Sequence, residues 1–466
     1  LLPVWTLKRF ARSPEPLHEL ARLVQVGREH SRVLVILFIL VTAGFVGQVT
    51  RRFDFACFTV VLLCGSSGLL FHGLLTRPEL LCAGFGGVLA LQCAWLASAA
   101  TRSTARTLWL LLAGVCAGLA LLSKLPAWFY LMILAPWCCI VPLLPPSLGA
   151  GTPATPVHRG WTIAACITAG LATLGLLFVL SRSHALLDPV AAGRLRAVAA
   201  AVALLPILAL AGVRGPVARY LVGRLLDLTL LLAGVIAVCT GWFGLLRITL
   251  PSGAAADATT KILNTVFHPD PLVHLYTHPG EGHRVREVLR FVMETPALFL
   301  TTCVLAVGLV FFRAAPARHR ALVLFLLVQG LGMTALMSQR EFLAQYSLFA
   351  QVPLLLAWAF GLAALHEWWL RRAPASEQRW PVALATAAAF ILVLTAPMDL
   401  RSKYNGYQED AALPVNELTV TYLYDHDAHP AAYLAALKAR YPTRNDFIAE
   451  LNLFLANPAN RTPDAP

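Results

Sequence analysis

HGLLTRPELLCAGFGGVLALQCAWLASAATRSTARTLWLLLAGVCAGLALLSKLP, residues 72–126, is the stretch that decides the fold. It holds two uncharged apolar runs, 80–98 and 107–122, joined by a basic turn with Arg102 and Arg106. Each run approaches the roughly 20 residues a helix needs to cross about 30 Å of hydrocarbon. As a membrane-spanning hairpin the stretch brings Arg77-Pro78-Glu79 and Ser123-Lys124 to one side, with the two arginines on the other.

The whole chain has the same character. Of its 466 residues, 58% are hydrophobic and 13% charged, and the mean hydropathy is +0.68. Soluble globular proteins carry about a quarter charged residues, so the expected fold class is an all-α polytopic membrane protein. The net charge of +13 does not point to nucleic acid, because the arginines fall in short turns between apolar runs and form no continuous basic face. All ten cysteines, Cys57 to Cys303, lie inside apolar runs without CxxC spacing, which argues against disulfides and against a cysteine zinc site.

Twelve apolar spans can be counted: 33–50, 55–75, 80–98, 107–122, 125–144, 161–180, 193–212, 221–246, 295–312, 320–338, 346–368 and 380–397. One set of connections holds Arg51, Arg52, Arg102, Arg106, Arg159, Arg214, Arg219, Arg224, Arg313, Arg318, Arg320, Arg371, Arg372 and Arg379. In the short connections of the other set the basic residues are Arg77, Lys124, Arg182, Arg194, Arg196 and Arg340. Fourteen basic residues against six make the first set cytoplasmic by the positive-inside rule.

The chain then divides into a remnant of an outer loop at 1–32, a membrane block at 33–246, an extracytoplasmic loop at 247–294, a second membrane block at 295–397 and a small extracytoplasmic tail at 398–466. Residues 1–32 alternate apolar positions such as Trp5, Leu17 and Leu20 with Lys8, Arg12 and Arg22, the pattern of short interfacial helices. In the tail, 430–440 and 444–455 have helical patterns. The chain opens on Leu1-Leu2-Pro3 with no methionine or signal-peptide pattern, and an outer N-terminus implies one upstream span, or thirteen in all.

Functional candidates cluster on the outer side. Thr76-x-x-Glu79 before an apolar run is a capping box, which gives Glu79 a structural reading as well as one in an acceptor site. Arg77 has no part in that cap, and a guanidinium at a membrane edge matches the geometry of a phosphate. Lys124 reads either as a snorkelling lysine or as a second phosphate contact beside Arg77. Arg340-Glu341, with Tyr346 following, is a near-membrane ion pair that neutralises itself or serves a site. The outer loop gathers His268, Asp270, His274, His278, Glu281 and His283 without a recognised zinc spacing. If a divalent metal ion binds there, His278, Glu281 and His283 around Gly280 and Gly282 are the expected ligands; no other cofactor is indicated.

In order along the chain, Leu20-Ala21-Arg22, Arg77-Pro78-Glu79, Ala113-Gly114-x-x-Ala117-Gly118-Leu119-Ala120-Leu121-Leu122-Ser123-Lys124 and Arg340-x5-Tyr346-x6-Pro353 resemble the GT-C superfamily of membrane glycosyltransferases, in its branch of protein mannosyltransferases and lipid A aminoarabinose transferases. The resemblance implies transfer of a sugar from a polyprenyl-phosphate carrier to a lipid, glycan or protein acceptor, on the extracytoplasmic face of the cytoplasmic (inner) membrane. Arg77, Lys124 and Arg340 would then stabilise charge on the departing lipid phosphate. The catalytic carboxylate of the family lies in the first outer loop, expected here upstream of Leu1, so the chain as it stands is expected to be inactive; Glu79 and Asp270 are poor substitutes.

Three other readings compete. A secondary transporter or lipid flippase suits twelve spans but would show paired, Gly/Pro-broken segments in two halves, which the sequence lacks. A polysaccharide polymerase or ligase would use the same lipid-linked donors. A non-catalytic scaffold gives no reason for cations gathered on one face.

Overall fold

The structure, a computed structural model, describes residues 16–66, 80–100, 102–123, 127–144, 216–249, 316–337, 347–370 and 431–456, with isolated positions between them. All regular structure among the described residues is helical: α1 Pro16–Thr50, α2 Phe53–Cys64, a π-helical segment Leu81–Leu89 running into α3 Ala90–Ala99, α4 Ser103–Ser123, α5 Ala127–Ile140, α6 Pro216–Thr249, α7 Ala317–Met337, α8 Ser347–Leu370, α9 Ala431–Arg440 and α10 Arg444–Ala456. The last two fall where the tail shows its two helical patterns.

Among the described residues five helices are long and apolar enough to cross a membrane: Glu29–Thr50, Leu81–Ala99, Thr104–Ser123, Tyr220–Ile248 and Ala317–Leu336. They correspond to the spans read at 33–50, 80–98, 107–122, 221–246 and 320–338. Shorter apolar helices, Phe53–Cys64, Ala127–Leu143 and Leu348–Ala364, overlap the spans read at 55–75, 125–144 and 346–368. The spans at 161–180 and 380–397, most of 193–212 and 295–312, and nearly all of the loop 247–294 lie outside the described residues.

The segment read as separate interfacial helices differs in one respect. From Pro16 it continues without a break into α1, a single helix of 35 residues. Proline is tolerated in the first helical turn, and after Pro16 no further proline interrupts the run. A Glu29–Arg32 ion pair at 2.7 Å bridges one turn of it. At the far end, Arg51 adopts φ 56° and the Arg52 amide donates to the Gly47 carbonyl at 3.1 Å. This is the six-to-one bond of a Schellman cap, with an arginine where glycine is usual. The chain reverses there and starts α2.

Contacts between helices fix their relative directions. Phe38 lies under Gly84, and Phe45 meets the Trp95 ring at 5.6 Å, so α1 and α3 run parallel. Phe58 meets Trp358 at 5.5 Å, while Ser66 donates to Gln351 at 3.2 Å, so α2 and α8 run antiparallel. Phe129 sits on Gly332 and Trp137 stands edge-on to Phe325 at 5.0 Å, making α5 and α7 antiparallel. Glycines 114 and 118 of α4 face Leu231, Gly234, Val235 and Val238 of α6, and Arg106 reaches Asp227, so that pair is parallel. Together these directions sort the helix ends into two groups: Arg52, Ala99, Arg106, Tyr220, Arg318 and His366 at one end, and Leu80, Ser123, Ala127, Met337 and Leu348 at the other.

In lipid, apolar burial alone does little to join helices; close backbone approach and interhelical hydrogen bonds do the joining. A Cβ on Gly114 would stand 2.9 Å from the Gly234 Cα and would meet the Leu231 carbonyl oxygen. The two backbones therefore touch, which no larger residue permits. Around this contact the core is filled by Trp137, Trp358, Tyr130, Phe38 and Phe349, each fully buried. By contrast Val33, Ile36, Leu37, Leu40 and Val41 share one face of α1 and are all about half exposed, the pattern of a helix face turned to lipid.

Candidate functional site

Every site residue expected from the sequence lies outside the described residues: Arg77, Glu79, Lys124, Asp270, His278, Glu281, His283, Arg340, Glu341 and Tyr346. What the structure does describe is the framework next to three of the turns that hold them. Leu80 is bonded to Glu79, Ser123 to Lys124 and Ser347 to Tyr346, and Met337 precedes Arg340 by three residues. These four positions belong to the same end of the bundle. Gly86 leaves no room for a side chain against Ala120 of α4, and Gly87 approaches the Tyr130 ring so closely that a Cβ would stand 2.9 Å from it. Tyr130 in turn donates to the Phe349 carbonyl at 3.0 Å.

That last bond has a clear cause. Pro353 lies inside α8 and has no N–H, so the carbonyl four residues earlier, that of Phe349, loses its helical donor. The fully buried Tyr130 hydroxyl replaces it from another helix. In a membrane interior such a carbonyl must find a partner within the protein. Nearby, the buried Gln329 of α7 donates to the Gly87 carbonyl at 3.0 Å. Gly87 belongs to the nine-residue π-helical segment, a conformation that often occurs at functional sites. The segment begins two residues after Arg77-Pro78-Glu79 in the chain.

Among the described residues the buried charges lie at the opposite end. Asp227 of α6 is 3% exposed and receives Arg106 of α4 through both carboxylate oxygens, at 3.0 and 2.5 Å. Arg224, one turn earlier on α6, reaches the same carboxylate at 2.7 Å and donates to the Cys138 carbonyl at 3.2 Å. Tyr220 donates to the Cys139 carbonyl. With both oxygens occupied by guanidiniums, Asp227 is placed to fasten α4, α5 and α6 together rather than to accept a proton. Arg52, at the turn before α2, holds Asp54 at 3.0 Å and meets the His366 ring at 2.6 Å. Its hydrogen bond holds the Asp54 carboxyl below the usual carboxylate range.

Asp227 has no place among the residues singled out from the sequence, where Arg106 and Arg224 serve only as markers of topology. The signal was present: Asp227 is the one carboxylate inside the run 221–246, three residues after Arg224, and a charge in such a run demands a partner. Among the described residues no three His, Cys, Asp or Glu side chains gather to hold a metal ion. No protein-family model, curated protein or solved structure matches the chain.

Proposed function

We propose that the chain is a polytopic glycosyltransferase of the cytoplasmic membrane and cell envelope, moving a sugar from a polyprenyl-phosphate carrier to an acceptor on the extracytoplasmic face. The observation that carries this reading is the convergence of four helix ends. Leu80, Ser123, Met337 and Ser347 adjoin the turns with Arg77, Lys124, Arg340 and Tyr346, and all four belong to one end of the bundle. The arginine-rich connections, represented by Arg52, Arg106, Arg224 and Arg318, gather at the other end, which supports taking the first end as extracytoplasmic. The full span count would then be twelve over these residues.

The chemistry follows from the donor. The bond between the sugar's anomeric carbon and the phosphate oxygen breaks, the acceptor oxygen bonds to that carbon, and a carboxylate takes the acceptor's proton. Negative charge grows on the lipid phosphate as it leaves. Cations fixed at the membrane edge are worth most there, because little water competes for the phosphate. Arg77, Lys124 and Arg340 have that role, with Glu79, Asp270, Glu341 and Tyr346 left for the acceptor side.

Protein expressed from its complete coding sequence and placed in liposomes with a polyprenyl-phosphate sugar tests the reading. The expected result is a glycosylated product whose rate falls about a hundredfold in Arg77→Ala and in Lys124→Ala. Unchanged rates in both variants would remove the site assignment. Solute crossing a sealed bilayer with no covalent product would replace the enzyme by a transporter.

A further inference from the structure

The turn between α1 and α2 meets the last part of α8 through two basic side chains, Arg52 and His366. Arg51 stands there at φ 56°, a conformation that residues other than glycine rarely take, so the turn needs support from its neighbours. Arg52 gives it in two directions. Through Nε and Nη2 it holds Asp54, two residues on, and through Nη1 it reaches Nδ1 of His366 at 2.6 Å. The His366 ring stands edge-on to Phe55 at 5.8 Å, and the guanidinium lies over that same Phe55 ring at 5.0 Å.

A guanidinium has donors and no acceptor, so Nδ1 of His366 must accept. It can do so only in the neutral imidazole with its proton on Nε2. A second proton makes Nδ1 a donor facing a donor and sets two cations against each other. The other charged groups nearby leave that outcome in place. Asp54 of α2 is already held by Arg52 and stays with it on the turn's side of the contact. Glu367 follows His366 in α8, where a carboxylate favours the added proton, and Arg51 adds positive charge to the turn. At the start of α7, Arg318 and His319 are directed to α3, at the Ser98 carbonyl and the Trp95 ring.

We propose that Arg52 and His366 form a pH-sensitive latch at the arginine-rich end of the bundle, closed while His366 is neutral and opened by its protonation, which frees the α1–α2 turn from α8. Contacts further in, Phe45 with Phe360 and Phe58 with Trp358, do not titrate, so the helices stay packed and their ends part. Imidazoles take up their proton at about pH 6.5. The bond contributes in full above that range and is lost as the pH falls through it.

Hydrogen–deuterium exchange of the full chain in lipid nanodiscs, read by mass spectrometry, tests the latch. The readout is protection of the turn, where the Arg52 amide is bonded to the Gly47 carbonyl, after correction for the pH dependence of amide exchange itself. Between about pH 7.5 and about pH 5.5 the wild type is expected to lose about five-fold in protection there, the worth of one hydrogen bond. His366→Gln offers Arg52 an acceptor that does not titrate, and should stay protected at both pH values; the residue is partly exposed, so the change leaves the core filled. Constant protection in the wild type overturns the proposal without recourse to any variant. So does a pH dependence that survives in His366→Gln, which would assign the response to a carboxylate such as Asp54 or Glu367. Glycosyl transfer enters none of these outcomes, so the latch stands or falls apart from the function proposed above.

Discussion

The two faces of α4 are held to their neighbours by different means. Toward α3 and the π-helical segment before it the contact is one of shape: Gly86 rests on Ala120, and a connection of three residues ties the two helices together covalently. Toward α6 there is a backbone contact at Gly114 and Gly234 and, beyond it, the Arg106–Asp227–Arg224 ion cluster. The two sides of that cluster are 121 residues apart in the chain. A helix that follows its partner through a tight turn needs little else to find it, since loop closure is nearly free. One that arrives after several intervening segments must carry its own recognition, here a directional charge and a patch where only glycine fits.

Substitutions can break this contrast. Asp227→Ala should have the largest effect, about 3 kcal/mol, because two guanidiniums lose their anion while remaining in place; thermal unfolding in detergent measures it. Exchanging the charges, Arg106→Asp with Asp227→Arg, should recover part of the loss, and no recovery would deny the pair its role in recognition. Gly114→Ala comes next, at about 2 kcal/mol, since its Cβ meets backbone on α6 that cannot bend away. Gly86→Ala should cost less, because its Cβ meets the methyl of Ala120 rather than backbone atoms. Equal losses at the two glycines would erase the distinction between the faces.

Smaller effects sharpen it. Tyr130→Phe removes the donor to the Phe349 carbonyl and should cost about 1 kcal/mol. In a Pro353→Ala background the same change should cost almost nothing, because residue 353 then supplies the helical N–H itself; a double-mutant cycle in unfolding free energy reads the difference. Least of all, Gly44→Ala should be neutral or stabilising by a few tenths of a kcal/mol, as a Cβ there meets nothing within 4 Å.

Apolar runs were the legible part of this protein. Helices 81–99, 103–123 and 216–249 stand where apolar stretches of that length require them, because every backbone group in lipid must be satisfied within its own segment. Partners were not legible. Gly114 and Gly118 are conspicuous in the sequence, yet that they meet Leu231, Gly234 and Val235 depends on a helix a hundred residues later. Pro353 is equally visible, but nothing near it in the chain names Tyr130 as the hydroxyl that compensates for it. The π-helical turn at Leu81–Leu89 could be suspected only from its three glycines. For the site, the three turns could be assigned to one side by counting lysines and arginines, whereas the geometry of Arg77, Lys124 and Arg340 depends on tertiary contacts that no spacing encodes.

The bond from Tyr130 to Phe349 also has a bearing on assembly. Tyr130 leaves the ribosome 219 residues before the carbonyl it serves, and Arg52 precedes His366 by 314. The early helices therefore enter the bilayer without their final neighbours, and a buried hydroxyl and a half-paired guanidinium must wait, hydrated or held by a chaperone, until α7 and α8 are inserted. Truncation after α6 would leave an unfinished bundle rather than a smaller protein, and quality control in the membrane would meet it with these polar groups still open.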